Sequence, residues 1–178
     1  VFSGMLKTAR FKNDNMKKII TFITFTFIVL AQASAQDLYK KVYETSIEIV
    51  NSPNSSDEQI QINQFKVTVL NYMASQVKKS GEEKDSYFYD SQAVNMSSFI
   101  TDFESNVMKA RAMSTAKRLQ VIEIYRNASL SNPLFNDGDK DKVYCYVNDK
   151  TTYTPFSLDT DWEKAYEEAT IKIKDFFK

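Results

Sequence analysis

A mainly α-helical bundle of about four to five helices, with a small β-hairpin ahead of the C-terminal helix, is the fold this sequence predicts. Three observations predict it. From Leu38 onward, apolar residues recur at steps of three and four over most of the chain. The 178 residues include only three glycines and three prolines, so long regular elements meet at few breaks. One short stretch, Val143-Tyr144-Cys145-Tyr146-Val147, alternates with a period of two instead.

The elements follow in order. Leu38, Val42, Tyr43, Ile47 and Val50 mark a first helix, stopped by Asn51-Ser52-Pro53-Asn54. Either Ser55 with Glu58 or Ser56 with Gln59 supplies the reciprocal cap that opens the second helix. Its stripe is Ile62, Phe65, Val69, Met73 and Val77, and it ends near Ser80-Gly81. The polar loop from Glu82 to Asp85 leads to Tyr87-Phe88-Tyr89, where no local signal fixes the state. A third helix from Ser91 carries Phe99, Phe103 and Val107, with Met96 and Ile100 beside them. Ser114-Thr115 either breaks this helix or is crossed by one long helix. A fourth helical stretch, Ala116 to Ala128, presents Leu119, Ile122 and Tyr125 or Arg126 before Asn132-Pro133 ends it. Val143, Cys145 and Val147 then face the bundle from a first strand, with Asn148-Asp149-Lys150 as the turn. Thr151 to Phe156 forms the second strand, which Pro155 confines to an edge. Thr160 and Glu163 are expected to cap the last helix, striped by Trp162, Ala165, Tyr166, Ala169, Ile173 and Phe176.

Upstream of these elements lies a segment of another kind. Residues Met16 to Gln36 read as a bacterial secretory signal: Lys17 and Lys18, then the uncharged run Ile19–Leu30, then Ala33-Ser34-Ala35. Small Ala33 and Ala35 at −3 and −1 put cleavage before Gln36. A membrane anchor is the competing reading, but twelve helical residues span only about 18 Å of a roughly 30 Å hydrocarbon core. No cysteine follows the small residues, so lipid attachment there is not expected. Residues 1–15 are read as an extension upstream of a start at Met16, residues 16–35 as the cleaved signal, and 36–178 as one domain. The expected location is periplasmic or extracellular, with no transmembrane anchor after cleavage.

Composition restricts the chemistry of that domain. Five of the 23 basic residues but only one of the 23 acidic ones precede Gln36, so the remainder is acidic by four charges. An acidic domain without a basic run does not suit nucleic acid, where phosphate neutralisation dominates affinity. The single cysteine, Cys145, excludes an intramolecular disulfide. With no histidine, Ser-His-Asp and Cys-His catalysis and His-ligated metal sites are closed.

Two clusters remain as candidate sites. Asp137, Asp139 and Asp141 alternate around Gly138 as a calcium loop does, although Lys142 stands where an EF-hand needs Gly and Asn148 where it needs Glu. Arg111, Lys117, Arg118 and Arg126 concentrate every arginine after residue 35 within sixteen positions. On a continuous helix Arg111 and Arg118 share a face, and guanidinium suits a forked contact with an anionic ligand or partner. The acidic residues Asp159, Asp161 and Glu163 beside Trp162 are read as helix-initiating groups before they are read as a sugar site. The expected function is a non-enzymatic envelope or secreted domain that binds another protein. A carboxylate-based hydrolytic or ligand-binding domain acting on glycan or peptide is the alternative, and a weak calcium-binding structural module is the third reading.

Overall fold

Every helix in this domain begins or ends where a side chain can replace a backbone partner that the helix itself lacks. The computed structural model describes residues 38–137, 142–146 and 153–178. Helix α1 is Leu38–Asn51, and α2 is Asp57–Ser80. Of the two capping boxes available, Ser56 with Gln59 forms. The Gln59 N–H donates to Ser56 Oγ at 3.2 Å, and the Ser56 N–H donates to Gln59 Oε1 at 2.9 Å. Gly81 ends α2 in the left-handed region at φ 69°, where a Cβ would be strained.

Helix α3, Ser86–Met113, starts five residues before the expected Ser91 and takes in Tyr87-Phe88-Tyr89. Asp85 is the reason: its carboxylate accepts the Phe88 N–H at 2.9 Å and fixes the first turn. The chain does break at Ser114, which serves two helices at once. Its N–H donates to the Ala110 carbonyl at 3.0 Å, closing α3. Its Oγ accepts the Lys117 N–H at 3.1 Å, opening α4, Thr115–Ser131. Arg111 and Arg118 therefore stand on two helices and not on one continuous face.

Strand β1, Lys142–Tyr146, pairs antiparallel with β2, Tyr153–Ser157. The register sets Val143 opposite Phe156, Cys145 opposite Thr154, and Tyr144 opposite Pro155. Pro155 is tolerated because both strands of a two-stranded sheet are edges. Val147 and the turn at Asn148-Asp149-Lys150 lie outside the described residues. The final helix, α5, is Trp162–Phe176. It runs parallel to α3, as successive contacts show: Ser91 Oγ to Glu163 (2.8 Å), the Tyr166 hydroxyl to Asp102 (3.0 Å), and Lys109 over the Phe177 ring (3.8 Å).

A single aromatic cluster fills the middle. Phe65 comes from α2, Phe99 and Phe103 from α3, Tyr125 from α4, Phe156 from β2 and Trp162 from α5, and all are buried. Phe99 lies 5.0 Å from Tyr125, 5.4 Å from Phe156 and 5.3 Å from Trp162, each edge to face. Phe156 also meets Phe103 at 5.2 Å and Phe65 at 5.8 Å. The α4 stripe differs from expectation. Val121, Ile122, Tyr125 and Ala128 are buried, whereas Leu119 faces water.

The chain that joins the hairpin to α5 is buried and polar. The Asp159 carboxylate accepts three N–H groups of the post-α4 loop: Leu134 (3.0 Å), Phe135 (2.6 Å) and Asp137 (2.9 Å). Thr160 does not cap α5. Its hydroxyl turns inward, donating to the Ser157 carbonyl at 2.6 Å and sharing a hydrogen bond with Ser129 Oγ at 2.8 Å. Asp161 caps instead, accepting the Lys164 N–H at 3.3 Å. The side chain of Gln92 reads this junction twice, donating to Asp161 Oδ1 at 3.1 Å and accepting the Trp162 N–H at 2.8 Å.

Truncating the hub of the cluster, Phe99→Ala, is expected to cost about 3–5 kcal/mol. Asp159→Asn, which turns one acceptor oxygen into a donor facing a backbone N–H, is expected to cost about 2–3 kcal/mol. Urea unfolding checks both, as a lower midpoint with an unchanged slope.

Candidate functional site

The α3–α4 corner collects side chains that a folded domain does not need to expose. Ser114 alone separates the two helices, so Arg111, Met113, Lys117 and Arg118 all fall within about one turn of it. From Ser105 to Ile122 the chain holds Lys109, Arg111, Lys117 and Arg118 and no acidic residue. Met108, Met113 and Leu119 are 40%, 52% and 53% exposed on the same stretch. The parallel course of α5 brings Phe177 to this end, with Lys109 Nζ 3.8 Å from its ring centroid. Among the described residues neither Arg111 nor Lys117 has an ion pair, and both are exposed. The result is a positive, partly apolar corner on a domain that is acidic as a whole.

Of the four basic residues singled out from sequence, the fold brings Arg111, Lys117 and Arg118 to this corner and leaves Arg126 out. Arg126 lies two turns further along α4, where its guanidinium pairs with Glu123 at 3.3 Å. Met108, Met113 and Leu119 were not among the sequence candidates. Leu119 did carry a signal: it stands out of phase with the Val121, Ile122, Tyr125 and Ala128 stripe.

The acidic loop lies elsewhere. Asp137 sits against α2, where its carboxylate accepts hydrogen bonds from the Tyr72 hydroxyl (3.2 Å) and from the Gln76 amide. Burial, with the charges of Asp159 and Asp137, raises the Tyr72 phenol well above its ordinary pKa, so it stays a donor. Asp139 and Asp141 lie outside the described residues. Among the described residues no three acidic or cysteine side chains converge as a metal site would require. The acidic residues before Trp162 are engaged structurally. Burial raises the Asp161 carboxyl, and hydrogen bonds from Lys164 and Gln92 outweigh it, holding the group below the ordinary aspartate range.

Glu104 is an acid–base group that the sequence did not reveal. It stands on α3 within the field of Lys66 and Glu58 of α2. Burial pushes its carboxyl up to about 7, Lys66 opposes this, and Glu58 adds to it. A folded-state pKa above the unfolded value means that the folded protein holds the extra proton. Stability from this group is therefore full below about pH 4.5 and falls as pH rises to about 7, by about 3 kcal/mol in all. Glu104→Gln is expected to remove that slope and to raise the melting temperature at pH 8, as thermal unfolding across pH 5–8 would show.

Against known proteins, no family model matches this chain, nor does any curated protein or solved structure.

Proposed function

We propose that this chain is an exported, non-enzymatic interaction domain that docks an acidic partner protein on its α3–α4 corner. Export rests on the signal-like segment from Met16 to Gln36, with Ala33 and Ala35 marking cleavage before Gln36. Among the described residues no helix is long and apolar enough to cross a membrane.

The observation that carries the binding reading is the combination at the corner. Exposed charge alone is the usual face of a helix, and a single exposed apolar side chain is ordinary. Exposed Met and Leu among four basic residues, with no acidic residue between Ser105 and Ile122, is the composition of a surface that a complementary partner covers. Methionine adapts its shape to the partner, while arginine gives forked contacts to carboxylates. The domain's net acidity directs the reading toward a local acidic patch on a protein and away from a polyanion, which the remainder of the surface would repel.

A photo-crosslinking residue at position 113, with one at exposed Tyr87 as the control, tests this in cells. One acidic partner is expected from position 113 and not from position 87. Arg111→Glu with Lys117→Glu is expected to lower that association about tenfold or more, mostly in its on-rate. The same pair is expected to change stability by no more than about 0.5 kcal/mol. Equal adducts from both positions, or insensitivity to the charge reversal, would remove the corner as the docking surface.

A further inference from the structure

The methionines of this domain divide into a buried pair and an exposed pair. Four of the chain's six methionines lie among the described residues. Met73 and Met96 are 2% and 0% exposed, inside the packed core. Met108 and Met113 are 40% and 52% exposed, and both belong to the α3–α4 corner. The thioether is the same nucleophile at all four positions, so accessibility decides which one an oxidant reaches.

Met113 is the most open of them. It is the last residue of α3, and Ser114 leaves the helix in extended backbone at φ −169° and ψ 160°. Side chains on a helix lean toward its N-terminus, so no residue three or four further along α3 covers Met113. Every residue from Arg111 to Lys117 is exposed. Three rotatable bonds let the Met113 sulfur sweep through this open stretch. Oxygen transfer to Met73 or Met96 first needs the fold to open.

Oxidation would change this side chain where docking uses it as an apolar contact. Hydrogen peroxide is a sufficient oxidant. Its O–O bond breaks, one oxygen bonds to the Met113 sulfur, and the other leaves as water. The sulfur gives up two electrons, and the product is the sulfoxide. That group is polar and accepts hydrogen bonds. Its oxygen stands within about one helical turn of the Arg111 and Lys117 donors, where it competes with a partner's carboxylates.

We propose that Met113 is a peroxide-modified site whose conversion to the sulfoxide weakens docking at the α3–α4 corner, with Met108 the slower second site. This rests on the docking reading above. Thiol-dependent reduction, in which two thiols become a disulfide and the oxygen leaves as water, restores the apolar side chain.

The test has two readings. The full chain is expressed, and the purified protein is treated with hydrogen peroxide while circular dichroism confirms that it stays folded. Peptide mass spectrometry over time then locates each added oxygen. Met113 is expected to react first and Met108 next, both at least about tenfold faster than Met73 and Met96. In urea the four rates should converge. In cells, a photo-crosslinking residue at exposed Leu119 reports docking while Met113 stays in place. Brief peroxide treatment is expected to lower its adduct about fivefold. Met113→Leu, apolar but unable to take oxygen, is expected to keep most of the adduct, which separates Met113 from oxidation of the partner.

Equal rates at all four methionines of the folded protein, or a leading site other than Met113, overturn the modification site. An adduct that peroxide leaves unchanged, or that the leucine variant loses equally, overturns the regulatory role and leaves the docking reading standing. No adduct from position 119 or from position 113 in untreated cells overturns the docking reading and the regulatory role together.

Discussion

Edge-to-face packing around Phe99 and Phe156 is the constraint on which the rest of this domain depends. Three helices, one strand and the opening residue of a fourth helix reach the cluster, and none of these elements is adjacent in sequence to all the others. Aromatic rings meeting edge to face add about 0.5–1.5 kcal/mol per pair beyond the area they bury, and they do so only within a narrow range of angles. A cluster of this kind therefore fixes orientation as well as distance. The parallel run of α5 beside α3 follows from it, because Trp162 must reach Phe99 at the start of α5. From that starting point the helix can bring Tyr166 to Asp102 and Phe177 to Lys109.

The hairpin is what makes the cluster demanding. Phe156 must be carried into a helical core on a strand, and the backbone that returns from it to α5 is buried with its polar groups exposed to no water. Buried N–H and C=O groups need partners, so Ser157, Asp159, Thr160 and Asp161 are polar although they lie inside. Asp159 holds three N–H groups of the loop after α4, Thr160 and Ser129 satisfy each other and the Ser157 backbone, and Gln92 closes the start of α5. The apolar cluster and this polar junction are two parts of one arrangement. Loss of the junction would free the strand that delivers Phe156, and loss of Phe156 would leave the junction with nothing to position.

This division explains what could be read from the sequence. Periodicity found the buried faces of α2, α3 and α5, because each of those stripes is a local pattern over several turns; of the five residues expected on the α1 stripe only Val42 is buried, and Ser46, one turn on, is the other buried residue of that helix. Gly81 and the Ser56–Gln59 box marked ends for the same reason: the chemistry lies within a few residues. The misreadings occur where a distant partner decides. Thr160 looks like a cap beside Glu163, but Ser129, far away in sequence, draws its hydroxyl inward and leaves the cap to Asp161. Leu119 fits a three-residue step with Ile122, but it is out of phase with the wider stripe of Val121, Ile122, Tyr125 and Ala128 and faces water. Asp159 and Asp161 are neighbours of like charge in sequence; in the fold one grips a loop and the other a helix. Of the candidate sites, the basic cluster was legible as composition, and of its apolar companions only Leu119 carried a local signal, because exposure is a property of the packed helix.

The same logic explains why the corner at Ser114 is open. A one-residue link between two long helices puts their ends at the surface, beyond the reach of the aromatic cluster, and no loop is available to fold back over them. Arg111, Met113, Lys117 and Leu119 are exposed there, and at exposed positions solubility alone would favour small or acidic residues, in keeping with the rest of this acidic domain. The corner instead holds Met108, Met113 and Leu119 among Lys109, Arg111, Lys117 and Arg118. Packing in the aromatic cluster does not account for exposed Met113 and Leu119, and helix propensity does not require them, since alanine or glutamate would serve as well. What remains is the contact reading proposed above, on a scaffold whose rigidity is provided elsewhere.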